Sequence, residues 1–145
     1  MKLPERAKDN KTDIIAGMEA WGNAFSAEHP GTILSFYADD AVLWGTLSPT
    51  RRENRAAIRN YFEQVFTFTE RKVTFHDPLI RVYANMAINT GPYTFSWVKD
   101  GQAETIPARY SFIYVKRDER WLIVDHHSSI MPTLEVVTYG GSHHT

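Results

Sequence analysis

Five consecutive side chains near the end of the chain, Asp125, His126, His127, Ser128 and Ser129, can each hold or move a proton. They end an apolar stretch that is typical of a strand, and neighbouring side chains on a strand point to opposite faces. We expect His127 and Ser129 to face a cavity, with His126 directed toward a helix, a subunit interface or solvent. Desolvation favours a neutral imidazole, so His127 is predicted to accept or relay a proton near neutral pH. The alternative is a structural His127 that bonds Asp125 or a backbone group.

Hydroxyl groups at two earlier positions are predicted to reach the same cavity. Thr46 ends the first predicted strand in the segment WGTLSP, and Tyr61 lies on the apolar face of a predicted helix. A hydroxyl donates or accepts by rotating, so Thr46, Tyr61 and Ser129 together suit a small polar substrate and an attacking water. With His127, these three are the predicted catalytic residues. The predicted substrate contacts are Thr46, Tyr61, Arg109, Ser128, Ser129 and His126.

Arg109 is the predicted anchor for a negatively charged group, provided that its face of the strand is the cavity face. A fixed guanidinium charge would attract an anionic oxygen. One alternative is a salt bridge from Arg109 to Asp125 or Glu104. Another is that the neighbouring Tyr110 points inward instead, because a one-residue change of register exchanges the two faces.

Composition disfavours several kinds of partner. The 145 residues include 16 basic and 17 acidic ones, so the formal charge of -1 provides no basic surface for nucleic acid. The chain has no cysteine and therefore neither disulfides nor thiolate metal ligands. The polar start MKLPERAKDNKTD lacks the apolar core of a signal peptide, and no later stretch approaches the length of a membrane span. We expect a cytoplasmic protein that binds neither nucleic acid nor membrane.

Helical spacing of apolar residues predicts three helices in the first half of the chain. The first should begin after an N-cap at Thr12 or Asp13, and a short second helix should be capped by Thr32. The third should run from about Asn54 to Phe66. The apolar stripes are Ile14, Met18, Trp21 and Phe25, then Ile33, Phe36 and Tyr37, then Ile58, Tyr61, Phe62, Val65 and Phe66.

After Lys72, apolar residues recur at every second position, and this spacing predicts strands. They should lie near 72–83, 86–99, 104–116 and 120–130, after a first strand near 41–46. Short turns between them predict consecutive antiparallel hairpins. Helices gathered before such a sheet predict an α+β roll with a conical pocket between helices and sheet. We expect one domain over residues 1–137 and a flexible tail over 138–145.

These elements resemble one superfamily over nearly the whole chain. The order of helices and strands, with the segments WGTLSP, AAIRNYF, PARYSFIYVKRDERW and VDHHSSIMP, is similar to the nuclear transport factor 2-like superfamily. Within it, the chain resembles the branch of the association domain of calcium/calmodulin-dependent kinase II. The His-His-Ser-Ser motif, the Gly-Thr on the first strand and the helix Tyr resemble the iota class of carbonic anhydrases. That resemblance implies reversible hydration of carbon dioxide to bicarbonate.

The histidine spacing does not favour a metal site. Only His127 is assigned to the cavity, whereas His29, His76 and the tail pair are scattered. We therefore expect a site without metal, with zinc or manganese as the alternative, because several other carbonic anhydrase classes use zinc. Aromatic walls for apolar carbon dioxide are expected from Trp21, Phe25, Tyr37, Trp44, Phe62 and Trp97.

Two other functions suit the same fold, because a fold alone does not determine an activity. The first is a non-catalytic association domain that binds a small ligand. Phe95, Trp97 and Val98 place apolar groups on both faces of one strand, so we expect a homodimer. The second is a ketosteroid-isomerase-like or cyclase-like enzyme, which needs an inward carboxylate as base; Asp39 and Asp40 are the candidates.

Overall fold

The predicted α+β roll is confirmed by a computed structural model, which describes residues 3–133. A curved, largely antiparallel sheet is closed on one side by helices. No helix in this described part is long and apolar enough to cross a membrane. The predicted tail 138–145 lies outside the described residues. The helices are α1 (Leu3–Phe25), α2 (Gly31–Leu34) and α3 (Arg55–Val65), and the strands are β1 (Tyr37–Trp44), β2 (Thr69–Phe75), β3 (Leu79–Tyr83), β4 (Met86–Lys99), β5 (Gln102–Arg117) and β6 (Arg120–Ile130).

Helix α1 begins at Leu3, so the predicted start after Thr12 or Asp13 is wrong. Pro4 is tolerated in the first turn of a helix, and residues 5–13 contain no Gly or Pro that would end it. The predicted apolar stripe is confirmed. Its buried members are Ile14, Met18, Trp21 and Phe25.

The predicted second helix is shorter than expected, and β1 begins earlier. Helix α2 ends at Leu34, and Tyr37 already belongs to β1. Strand β1 runs parallel to β6, and the Ile123 amide donates to the Phe36 carbonyl at 2.9 Å. Hydrogen bonds to β6 therefore draw this segment out of the helix. Because β1 ends at Trp44, Thr46 lies in the loop just beyond it.

The strand order in the sheet is β1-β6-β5-β4-β2, with β3 also paired to β4. The β4-β5-β6 meander was predicted correctly. The predicted strand over 72–83 is instead two strands, interrupted at residues 76–78. Asp77 has a positive φ of 47° and Pro78 has no amide hydrogen, so this segment cannot continue a regular ladder.

Helix α3 agrees with its prediction and covers one end of the concave sheet face. The Asn54 side chain accepts from the Ala57 amide at 2.8 Å and so caps the helix. The buried residues of α3 are Ile58, Tyr61, Phe62 and Val65.

Arg71, on β2, binds the chain at the carboxyl ends of both α1 and α3. Its guanidinium donates to the carbonyls of Phe25 and Ala27 after α1, and to those of Phe66 and Phe68 after α3. Unpaired carbonyls at helix ends carry partial negative charge, so one cation satisfies two helix termini. This clamp fixes the two helices against the sheet edge.

We expect Arg71→Ala to destabilise the fold by about 3 kcal/mol, because several carbonyls lose a charged donor at once. Urea unfolding measures the change. Arg59→Ala on the exposed face of α3 is the control and should change stability by less than about 0.5 kcal/mol. Equal stabilities for the two variants would show that the clamp contributes nothing.

Candidate functional site

A small cavity lies between α1, α3 and the concave face of the sheet. The centre of a water-sized molecule can move through about 20 Å³ of it, which is room for a very small ligand. Most of its wall is apolar, and its polar side chains lie where β1, β4, β6 and α3 converge. The lining residues are Trp21, Phe25, Leu43, Gly45, Thr46, Leu47, Tyr61, Phe62, Val65, Tyr93, Phe95, Trp97, His126 and Ser128.

Four hydroxyl groups meet at this cavity. Thr46 Oγ1 is hydrogen-bonded to Ser128 Oγ, and the Tyr93 hydroxyl donates to Ser128 Oγ at 2.5 Å. The hydroxyl of Tyr61 interacts with Thr46 and accepts from the Leu47 amide at 3.3 Å. The prediction that Thr46 and Tyr61 come together at one cavity therefore agrees with the structure, although their catalytic role stays a prediction.

Burial keeps the Tyr61 hydroxyl protonated. Desolvation raises its pKa, and the opposing effects of the Leu47 amide and of the Arg52 charge are smaller. The Arg52 guanidinium lies 5.9 Å from the centre of the Tyr61 ring. Tyr61 thus remains a hydrogen-bond donor beside a positive charge, which suits an oxygen that gains negative charge.

His126 is the imidazole inside the cavity wall, and it is almost completely buried. Its Nδ1 lies 2.8 Å from the Tyr37 hydroxyl and its Nε2 lies 3.1 Å from the Tyr93 hydroxyl. Desolvation lowers the His126 pKa to about 3, with a smaller effect from His127. His126 is therefore neutral near pH 7 and has both nitrogens occupied.

The prediction that His127 and Ser129 face the cavity is wrong, because His126 and Ser128 do so. The alternation itself was correct, but β6 contains a bulge. Tyr114 pairs with Ile123, whereas the preceding Ile113 pairs with Asp125, so β6 has one extra residue there. A bulge shifts the phase of alternation, and His126 then points inward together with Ile123.

Arg109 lies on the outer face of the sheet, so the predicted anion anchor is not at the cavity. Its Nε donates to Ser129 Oγ at 3.2 Å, and Ser111 and His127 lie on the same face. Its buried neighbour Tyr110 points inward instead. No salt bridge from Arg109 to Asp125 or Glu104 forms among the described residues.

Four other predicted residues also lie outside the cavity. Tyr37 was expected in its aromatic wall but is buried in the core and is not among the lining residues. Trp44 was expected in its aromatic wall but is 38% exposed and stacks on His127 at a ring-centre distance of 6.2 Å. Asp39 and Asp40 are exposed on β1, and Arg117 pairs with Asp40 at 2.9 Å. Neither carboxylate is placed to act as the base of an isomerase or cyclase in this cavity.

Tyr93 is the site residue that the sequence argument missed. It sits on β4 with Phe95 and Trp97, and all three are buried on the concave face. The period-two pattern shared by these residues was the available signal. A buried phenol hydroxyl needs a hydrogen-bond partner. A tyrosine in a buried aromatic stripe, on the same face of the sheet as a strand that contains histidines, is therefore a candidate donor.

The cavity residues do not fit a metal ion. Throughout the described part of the chain, no three His, Asp or Glu side chains are grouped so that they could hold one. Both ring nitrogens of His126 already bind hydroxyl groups. The expectation of a metal-free site remains a prediction, and the possibility of zinc or manganese remains its alternative.

The long helix across a curved sheet and the cavity beneath it define a nuclear transport factor 2-like fold. Comparison with protein families agrees: residues 10–132 match the calcium/calmodulin dependent protein kinase II association domain. The chain belongs to this association-domain family. No curated protein matches the chain.

Solved structures support the same assignment. A structure from Xanthomonas campestris that carries the same association-domain name is 36% identical, with a TM-score of 0.78 over 83% of this chain and 87% of that one. A nuclear transport factor 2-like protein from Salmonella enterica is 20% identical, with a TM-score of 0.77 over 86% and 92%. The association domain of the kinase from C. elegans is 19% identical, with a TM-score of 0.69 over 86% and 98%. The last two likenesses concern the fold alone.

Gly45 makes room for the Tyr61 ring, because a Cβ atom there would lie 2.4 Å from two ring carbons. We expect Gly45→Ala to displace the ring from the cavity and to destabilise the fold by about 2 kcal/mol through overpacking. A crystal structure or tyrosine ring NMR signals would report the displacement. Gly17→Ala on α1, where the added methyl meets nothing within 4 Å, is the control.

Acid should destabilise the protein through His126. The unfolded chain binds a proton below the ordinary pKa of 6.5, whereas the folded chain does so only near the pKa of about 3. The free energy of unfolding should therefore decrease as pH falls between these values, by up to about 1.4 kcal/mol per pH unit. Urea unfolding at several pH values measures the slope. His126→Gln should reduce it, and His127→Gln at the exposed neighbour should not.

Proposed function

We propose that the protein catalyses the reversible hydration of carbon dioxide to bicarbonate in this cavity. The observation that carries the proposal is the group of four hydroxyls, Thr46, Tyr61, Tyr93 and Ser128, around a space of water-like size. The resemblance of the His-His-Ser-Ser motif to the iota class of carbonic anhydrases points in the same direction. In this proposal Ser128, which lines the cavity, takes the place predicted for Ser129, and no imidazole takes the proton-relay role predicted for His127.

The cavity suits both substrates. Carbon dioxide is apolar, and the aromatic walls at Phe62, Phe95 and Trp97 offer it a dry surface. The hydroxyls of Thr46 and Tyr61 are placed to hold the attacking water beside it. Binding both reactants at once requires the cavity to widen beyond its space of about 20 Å³, and holding them together would then reduce the entropic part of the barrier.

The reaction step uses hydroxyl donors rather than a charged base. The water oxygen forms a bond to carbon, and one C=O electron pair moves onto an oxygen of the carbon dioxide. The hydrogen that the Thr46–Tyr61 pair does not use between its own two hydroxyls stabilises that developing charge. The proton released by the water passes to a solvent base, because His126 is neutral, fully engaged and very weakly basic. His127 lies on the other face of the sheet, so it is not the relay in this scheme.

Stopped-flow hydration of carbon dioxide with a pH indicator tests the proposal. We expect Tyr61→Phe to reduce kcat/KM by about 100-fold, as for loss of one donor to a developing oxyanion. Ser128→Ala should reduce kcat/KM as well, because Thr46 loses the hydroxyl that holds it at the cavity. Ser129→Ala is the matched control, since this neighbouring hydroxyl faces away and should leave activity within about twofold. A larger loss from Ser129→Ala than from Ser128→Ala would contradict the proposed site.

The experiment includes exhaustive chelation and elemental analysis of the same protein. Hydration that survives chelation supports the metal-free scheme. Hydration that is lost and then restored by zinc or manganese would replace it. No hydration in any state would overturn the enzyme function and favour a non-catalytic association domain that binds a small ligand.

Association with further copies is the second candidate function, and membership of the association-domain family favours it. Trp44 and Ile130 are exposed large apolar residues on β1 and β6. We propose a homodimer, which is compatible with catalysis in each subunit. Light scattering after size-exclusion chromatography distinguishes it from a monomer.

A further inference from the structure

A continuous chain of hydrogen bonds connects the centre of the core to the cavity. The indole Nε1 of Trp21 donates to the Tyr37 hydroxyl at 3.1 Å, and that hydroxyl lies 2.8 Å from His126 Nδ1. On the other side of the ring, His126 Nε2 lies 3.1 Å from the Tyr93 hydroxyl, which donates to Ser128. Ser128 in turn is bonded to Thr46 at the cavity.

The two neighbours of His126 determine which of its nitrogens carries the hydrogen. Tyr93 donates its one hydrogen to Ser128, so toward Nε2 it can only accept. Because the imidazole is neutral, its one hydrogen is then on Nε2, and Nδ1 accepts from Tyr37. The indole nitrogen of Trp21 can only donate, and by occupying a lone pair of the Tyr37 oxygen it favours the orientation in which the Tyr37 hydrogen points to His126.

The remaining bonds follow in the same direction. Tyr93 accepts from His126 and donates to Ser128 Oγ, which lies at 2.5 Å. Ser128 accepts from Tyr93, so its hydrogen is available for Thr46. Burial raises the pKa of both Tyr37 and Tyr93, so neither phenol loses the hydrogen that it passes on. Each hydroxyl in a chain of this kind polarises the next one.

The chain leaves donor hydrogens at the cavity. Thr46 accepts from Ser128, and Tyr61 accepts from the Leu47 amide, so both hydroxyls have a hydrogen to donate. Their interaction with each other uses one of the two hydrogens. A hydrogen that the two hydroxyls do not use within the cluster is available to a ligand, and the lining includes no Asp or Glu that would attract a cation.

We propose that Trp21 and Tyr37 are positioning residues that orient the cavity hydroxyls as donors and so make the cavity selective for small oxyanions. This inference deepens the proposed function, on which its assignment of bicarbonate as the natural ligand rests. The donor orientation and the anion preference can be measured without any turnover. Formate, a small planar carboxylate, is the probe that we would use for binding.

The first measurement is the tautomer of His126, from the 15N chemical shifts of its ring. The wild-type protein should show hydrogen on Nε2 only. Trp21→Phe removes the indole donor and should give a mixture of the two tautomers, because the Tyr37 hydroxyl is then no longer held with its hydrogen toward Nδ1. Trp97→Phe is the matched control: Trp97 also lines the cavity, but its Nε1 donates to Glu104 at 2.9 Å, outside the chain.

The second measurement is ligand binding, followed by amide NMR signals near Thr46 and Ser128. Formate should shift these signals and ammonium should not. Trp21→Phe should weaken formate binding by about tenfold, the effect of losing roughly one hydrogen bond. Tyr37→Phe, which keeps the ring shape, should do the same and covers the case in which Trp21→Phe does not fold.

Two outcomes would overturn the inference. One is a wild-type His126 with its hydrogen on Nδ1. The other is unchanged His126 tautomer and formate affinity in both folded variants. If the tautomer and anion preference follow the predictions while carbon dioxide hydration is absent, the proposed function fails and the donor orientation stands.

Discussion

The structure depends on the need of one buried imidazole for two hydrogen-bond partners. His126 sits in the core on β6, where an unpaired polar nitrogen would cost about 1–3 kcal/mol. Tyr37 on the adjacent β1 satisfies one nitrogen, and Tyr93 on β4 reaches the other across the intervening β5. Sheet curvature brings β4 within reach, so the same contacts that stabilise the core also define the wall of the cavity. A site built in this way is rigid, because moving one hydroxyl would leave a buried group unpaired.

The β6 bulge determines which polar groups have access to that cavity. By adding a residue between the partners of Ile113 and Tyr114, it turns His126 inward and leaves His127 on the outer face. The short His-His-Ser-Ser motif therefore contributes to two polar clusters with different properties, one on each face of the sheet. The inner one is dry and rich in hydroxyl donors, whereas the outer one contains the exposed Arg109 and His127. This separation would place the proposed ligand cavity and the proposed surface for other copies on opposite faces of the sheet.

The helices limit what the cavity can hold. Helix α1 covers the concave face with large aromatic side chains, and the Arg71 clamp fixes its end together with that of α3. The space that remains suits a molecule with very few heavy atoms rather than a polycyclic substrate. Size, donor character and the absence of carboxylates from the described lining all favour a small oxyanion, and hence the proposed hydration reaction over isomerase or cyclase chemistry.

The sequence by itself determined the fold class, the buried stripes of α1 and α3, the β4-β5-β6 meander and the convergence of Thr46 and Tyr61. These features follow from apolar periodicity and turn residues, which are local properties of the chain. The sequence also placed His126 and Ser128 on one face of β6 and His127 and Ser129 on the other, because neighbouring side chains alternate along a strand. Only the tertiary structure decided which of the two pairs faces inward, because a bulge is defined by pairing with β5 and leaves no periodic signal. The role of Tyr93 and the direction of the hydrogen-bond chain likewise arise from contacts between strands that are distant in sequence, and no local pattern predicts them.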